Sequence, residues 1–137
     1  PAIALFIPLI GGTGGNVGIQ SSAIVVQGLA NGSLDLRKSL SQIVKELGLA
    51  LINASIISLL VFAYNFFIFH PDFKITIAVS ASLFAVVLFA ATFGTFVPLT
   101  LEKMKVDPAI ATGPFITITN DIIGMMIYMT VCMMLLQ

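Results

Sequence analysis

Four long apolar stretches, at residues 1–30, 47–69, 75–101 and 108–136, constrain this chain more than any other feature. Each is longer than the roughly 20 helical residues that cross the hydrocarbon core of a bilayer. Strands do not suit that solvent. An open sheet in lipid leaves backbone N–H and C=O groups unpaired, and barrel strands alternate over about 10 residues. Hydrophobic residues make up 58% of the sequence and charged residues only 9%, against about 25% charged in a soluble domain. The chain therefore reads as all-α: a polytopic transmembrane helical bundle, one domain over residues 1–137, with the lipid bilayer as its surroundings. The formal net charge is zero, which gives nucleic acid no purchase. Cys132 is alone, so neither a disulfide framework nor a thiolate metal site follows from it. One histidine, one cysteine and scattered serines supply no nucleophile and base pair, so an enzyme is not expected.

Helix punctuation agrees with this reading. Asn31-Gly32-Ser33 closes the first stretch, His70-Pro71-Asp72 closes the second, and Asp107-Pro108 resembles an N-cap followed by proline at the first helical position. In the first stretch Gly11, Gly12, Gly14, Gly15 and Gly18 crowd together, which predicts a glycine-broken or strongly kinked first helix. Residues 31–45 mix charges with Leu34, Leu36, Leu40 and Ile43, a pattern suited to an amphipathic segment at the inner interface. The basic residues set the orientation. Arg37, Lys38 and Lys45 follow the first stretch and Lys103 and Lys105 the third, whereas Lys74 alone follows the second. By the positive-inside rule the first and third connections are cytoplasmic, and Pro1 and Gln137 face outside. An upstream cytoplasmic region would then need an odd number of further spans. The chain opens within an apolar run without an initiator Met, as if cut from something longer.

Against this background one carboxylate stands out. Asp121 lies near the middle of the fourth stretch, and no Lys or Arg follows Lys105. An intramembrane charge costs roughly 2.5–3.5 kcal/mol on insertion scales, so Asp121 is expected to face a wet passage. Helical spacing puts Gly113, Thr117, Asp121, Gly124 and Tyr128 on one stripe, with Asn120 at its margin. Helix packing alone explains small residues such as Gly113, Thr117 and Gly124 about as well as function does, but packing does not require a carboxylate. The first stretch adds Asn16 and Gln20 and the bare backbone of Gly11, Gly12 and Gly15. Oxygen donors of this kind suit hard cations such as Mg²⁺, Ca²⁺ or Mn²⁺. Glu46 sits at the inner edge of the second stretch, where a snorkelling interfacial charge is the plainer reading. Asp107 caps its helix at the cytoplasmic mouth near Glu102, and His70 belongs to a solvated loop. The methionines at 125, 126, 129, 133 and 134 surround the last helix and face lipid or packing.

The run from Pro8 through Gly11-Gly12-Thr13-Gly14-Gly15-Asn16 to Ser22 resembles the signature of the MgtE family of magnesium channels. Lys45-Glu46-Leu47-Gly48, Val106-Asp107-Pro108-Ala109 and Thr119-Asn120-Asp121-Ile122-Ile123-Gly124 follow in the order and spacing of that family. The resemblance implies a five-helix transmembrane domain, here helices two to five, forming a homodimer with the ion path between protomers. It implies a bacterial or archaeal inner membrane, and Mg²⁺ as the transported ion, with Mn²⁺ or Co²⁺ as alternatives. It matches Asp121 to a pore aspartate binding hydrated Mg²⁺, and Gly11, Gly12, Gly15, Asn16 and Thr117 to pore-lining positions. It matches Asp107 to an acidic residue at the cytoplasmic mouth and Glu46 to one near the inner side. The family's first helix and upstream cytosolic regulatory domains have no counterpart in this sequence, and Gly113 stands where some relatives carry Asn. The competing expectations are a coupled divalent-cation exchanger and a non-conducting structural membrane subunit.

Overall fold

The computed structural model describes residues 3–35, 37, 39–111 and 113–137. Pro1, whose side of the membrane was inferred above, Leu36 and Lys38 of the first connection, and Thr112 lie outside the described residues. A 3-10 turn, Ile3–Phe6, leads into α1, Ile7–Ala30. Then come α2, Ser39–Tyr64, prolonged by a π-turn at Asn65–Phe69, and α3, Phe73–Lys103. A second 3-10 turn, Pro108–Ala111, precedes α4, Pro114–Leu135. Four of these helical segments are long and apolar enough to cross a membrane, so the chain is a multi-pass membrane protein of all-α class.

Three local expectations change. The glycine run does not break α1, which is continuous from Ile7 to Ala30. A helix keeps its backbone groups paired in lipid, and glycine's missing side chain is used here for close approach. Residues 39–45 form the opening turns of α2 instead of a separate interfacial segment. Asp107 caps the short turn at Pro108–Ala111, its Oδ1 accepting the Ala109 N–H at 3.0 Å, and α4 starts only at Pro114. Gly113 makes that start possible with a φ of 77°, a conformation that side chains rarely adopt.

The other punctuation behaves as its chemistry dictates. At the end of α1, Gly32 takes a φ of 79° and the Leu34 N–H returns to the Gly28 carbonyl at 3.0 Å. Asp72 caps α3, its Oδ1 accepting the Lys74 N–H at 3.0 Å.

The most buried helix is α3, which packs against the other three, while α1 and α4 also pack against each other. Its buried side chains are mostly small or β-branched, among them Ala78, Val79, Val86, Val87, Ala90 and Ala91. Buried hydroxyls are matched within the helix: Ser82 Oγ donates to Ala78 O at 2.6 Å and Thr95 Oγ1 to Ala91 O at 2.9 Å. The tightest crossing is between α1 and α3. A Cβ placed on Gly94 would lie 2.5 Å from the Gly18 carbonyl oxygen, and one on Gly14 would lie 2.9 Å from Val86 Cγ1. A Cβ on Gly18 would overlap the Asn120 amide of α4. Lipid tails are as apolar as leucine, so helix association in a bilayer depends on such close van der Waals approach.

Gly94→Ala should lower stability by about 1–3 kcal/mol, the range for overpacking against atoms that cannot move aside. Gly48→Ala, where a Cβ meets nothing within 4 Å, should be neutral or stabilising by up to about 1 kcal/mol through helix propensity. Thermal unfolding in one detergent compares the two.

Candidate functional site

Two rows of glycine, each spaced by four residues, run along α1 and serve different neighbours. Gly14 and Gly18 face the bundle interior. Gly11 and Gly15 face the carboxylate on α4: a Cβ on Gly15 would lie 3.4 Å from Asp121 Oδ1 and one on Gly11 would lie 3.8 Å from it. Asp121 thus lies over helix surface that carries no side chain at Gly11 and Gly15.

Ile7, Pro8, Gly11, Gly12, Gly15, Asn16, Thr117, Asp121 and Met125 enclose a groove of about 360 Å³ between α1 and α4. Among the described residues no Lys or Arg lines it. Asp121, Asn16 and Gly12 are exposed, and Thr117 is half-buried with its hydroxyl donating to Gly113 O at 3.1 Å. That bond uses the hydroxyl proton and leaves the Thr117 oxygen free to accept from a hydrated ion or water. A shallower depression of about 640 Å³ continues from Asp121 along Ile122, Met125, Met126, Met129 and Thr130. Among the described residues no three His, Cys, Asp or Glu side chains converge as a metal cluster. The described residues lining the groove therefore offer a cation one carboxylate, an amide, a hydroxyl and backbone oxygens.

The structure brings Asp121, Thr117, Gly11, Gly12, Gly15 and Asn16 together around this groove and leaves the other candidates elsewhere. Asn120 and Gly124 do not line it. Asn120 is 1% exposed, buried against Gly18, and a Cβ on Gly124 would meet Val86 Cγ1 at 3.4 Å. The single stripe expected on α4 is in fact two. Ile116, Asn120, Gly124 and Tyr128 form the buried row. Thr117, Asp121 and Met125 form the groove row, each about 100° round the helix from its buried neighbour. Gly113 stands at the start of α4, outside the groove, where its contribution is the backbone turn. Asp107 is exposed and engaged in capping. Glu46 is buried, not snorkelling: it is 6% exposed, and Gln42 Nε2 donates to its Oε1 at 3.0 Å. Ile7 and Pro8 were not singled out as site residues, and Met125, read above as facing lipid or packing, lines the groove instead. Met125 could have been found as the residue four after Asp121.

Comparison with known proteins adds an independent finding. Residues 7–131 match the family model MgtE, described as a divalent cation transporter. The chain is 34% identical over 136 residues to "Magnesium transporter MgtE" of Thermus thermophilus, covering 99% of this chain and 30% of that protein. It is 35% identical over 127 residues to the protein of the same name from Bacillus subtilis, covering 93% of this chain and 28% of that one. The corresponding Enterococcus faecalis protein is 29% identical over 139 residues. The chain spans about 30% of the length of the curated relatives it matches.

The two rows on α4 differ in exposure: Asp121 is open in the groove and Asn120 is closed off. In a Cys132→Ser background, Asn16→Cys and Asp121→Cys should react quickly with a membrane-impermeant thiol reagent, and Asn120→Cys should stay protected. Labelling rates on the folded protein check this, and equal rates at 120 and 121 would contradict the two-row arrangement.

Proposed function

Because this chain belongs to the MgtE family of divalent cation transporters, we propose that it forms the ion-conducting part of a magnesium channel. Hydrated Mg²⁺ passes along the groove between α1 and α4, beside Asp121. The observation that carries this reading is an exposed carboxylate set over the Gly11 and Gly15 backbone in a groove that no described basic residue lines. Mg²⁺ gives up its waters reluctantly. Six waters at about 30 Å³ each occupy roughly 180 Å³, and a groove of about 360 Å³ accepts that volume.

The electrostatics favour a divalent ion. At about 5 Å, across one water layer, and at an effective dielectric of about 20, Asp121 attracts a doubly charged ion by roughly 7 kcal/mol. That exceeds the roughly 3 kcal/mol cost of placing the carboxylate at membrane depth. Backbone and Thr117 oxygens accept hydrogen bonds from the ion's waters and orient the shell without stripping it. The groove is open on one side, where Ile118, Ile122, Met126 and Met129 are exposed. A second copy of the chain closing that side would supply a second Asp121 and turn two half-grooves into one conduit. This homodimer is the arrangement that the apolar rim and the lone carboxylate together favour.

In liposomes holding a Mg²⁺ gradient and no counter-ion gradient, the full-length protein should admit Mg²⁺, and Asp121→Ala should abolish the flux while leaving the dimer mass unchanged. Wild-type flux in Asp121→Ala would remove Asp121 from the path. Silence of the wild type until a counter-ion gradient is applied would replace the channel with an exchanger.

A further inference from the structure

The end of the bundle where α2 hands over to α3 carries a second polar feature, remote in sequence from Asp121. There α2 widens into the π-turn Asn65–Phe69, closed by a hydrogen bond from the His70 N–H to the Asn65 carbonyl at 2.8 Å. Turns of this kind are rare and frequently mark functional sites. His70 follows with φ 52° and ψ 47°, a left-handed conformation uncommon outside glycine. Asn65, Phe66, His70, Pro71, Phe73 and Thr76 line a cleft of about 330 Å³ at this turn.

Asn65 is 0% exposed, and neither its Oδ1 nor its Nδ2 has a hydrogen-bond partner among the described residues. A bare buried amide costs about 1–3 kcal/mol, and a leucine would fill the same volume without that cost. The amide needs one partner that donates and one that accepts, and a hydroxyl group can do both. Beside the cleft, on the first turn of α3, stands one cationic side chain, Lys74. His70 and Lys74 are exposed, and the cleft opens at the first turn of the 31-residue α3, whose N-terminal end favours anions. Asp72 carries the opposing charge, with its Oδ1 held by the Lys74 N–H. Phe66 and Phe73 line the opening, and Phe67 and Phe69 of the same turn are also exposed, so the cleft is set in an apolar aromatic rim.

We propose that this cleft binds an anionic phospholipid headgroup that carries a hydroxyl, of the phosphatidylglycerol type. The phosphate lies by His70, Lys74 and the start of α3, and a headgroup hydroxyl bonds to the Asn65 amide. The half-exposed rings of Phe66 and Phe73 swing aside to admit it.

The test uses delipidated protein in nanodiscs of defined lipid, with retained lipid read by native mass spectrometry and stability by thermal midpoint. Three lipids separate the elements of recognition: phosphatidylglycerol, phosphatidic acid, which lacks the headgroup hydroxyls, and phosphatidylcholine, which lacks net charge. The wild type should retain phosphatidylglycerol over both others and show the highest midpoint in it. Asn65→Leu should lose the preference over phosphatidic acid and keep that over phosphatidylcholine. Lys74→Gln, an exposed change that spares the fold, should weaken the preference over phosphatidylcholine. Equal retention of all three lipids by the wild type would overturn the proposal, as would an unchanged phosphatidylglycerol preference in both variants. A midpoint shift with soluble glycerol 3-phosphate as large as that with phosphatidylglycerol would overturn the lipid assignment in favour of a free phosphate ester.

Discussion

The close passage of α1 between α3 and α4 is the constraint on which the rest of the molecule depends. In water, helices are pressed together by the apolar surface they hide. In lipid that drive is absent, and backbones must come near enough for dispersion to hold them. Gly18 and Gly94 allow this between α1 and α3, where one glycine's carbonyl lies against the other's α-carbon side. Gly18 also makes the slot into which α4 places Asn120. With one glycine row committed to the interior, the row at Gly11 and Gly15 is turned toward Asp121. The packing of α1 and the geometry of the groove are therefore one arrangement seen from two sides.

Adjacent residues on α4 show how little rotation separates structure from chemistry. Asn120 is buried, with both amide atoms unpartnered among the described residues, and Asp121 is exposed in the groove. A turn of α4 by one residue would bury the carboxylate against Gly18 and expose the amide. Burying an unpaired charge costs far more than burying an amide. The register of α4 is thereby held by packing on one side and by solvation on the other.

Much of this was legible before any coordinates. Composition and run length give the membrane class and the four spans, because lipid tolerates few alternatives to a helix. The cost of an isolated carboxylate singles out Asp121, and the oxygen-rich glycine segment provides residues that fold against it. What was not legible depends on tertiary partners. Whether glycines break a helix or pack it turns on a neighbour such as Val86 or Gly94, which no local pattern reveals. Spacing by three or four residues groups Asp121 with Gly124, but only the position of α1 and α3 shows that the two part company. Glu46 reads as an interfacial charge until α2 is seen to begin at Ser39 and to carry Gln42 one turn before it. Asp107-Pro108 has the chemistry of a helix start, and it does start one, but the helix is a single short turn.

The four spans also differ in apolar character: α2 and α3 are the stronger pair, and α1 and α4, which carry the groove, are the weaker. A nascent chain meets the translocation machinery one segment at a time, and each segment partitions according to its own side chains. The consecutive hairpin of α2 and α3 can settle in the bilayer unaided. The segment bearing Asp121 emerges after α1, α2 and α3, once the surface that receives it has been made. Biogenesis thus follows the layout of the molecule: its most apolar pair of spans is laid down before the span that completes the groove.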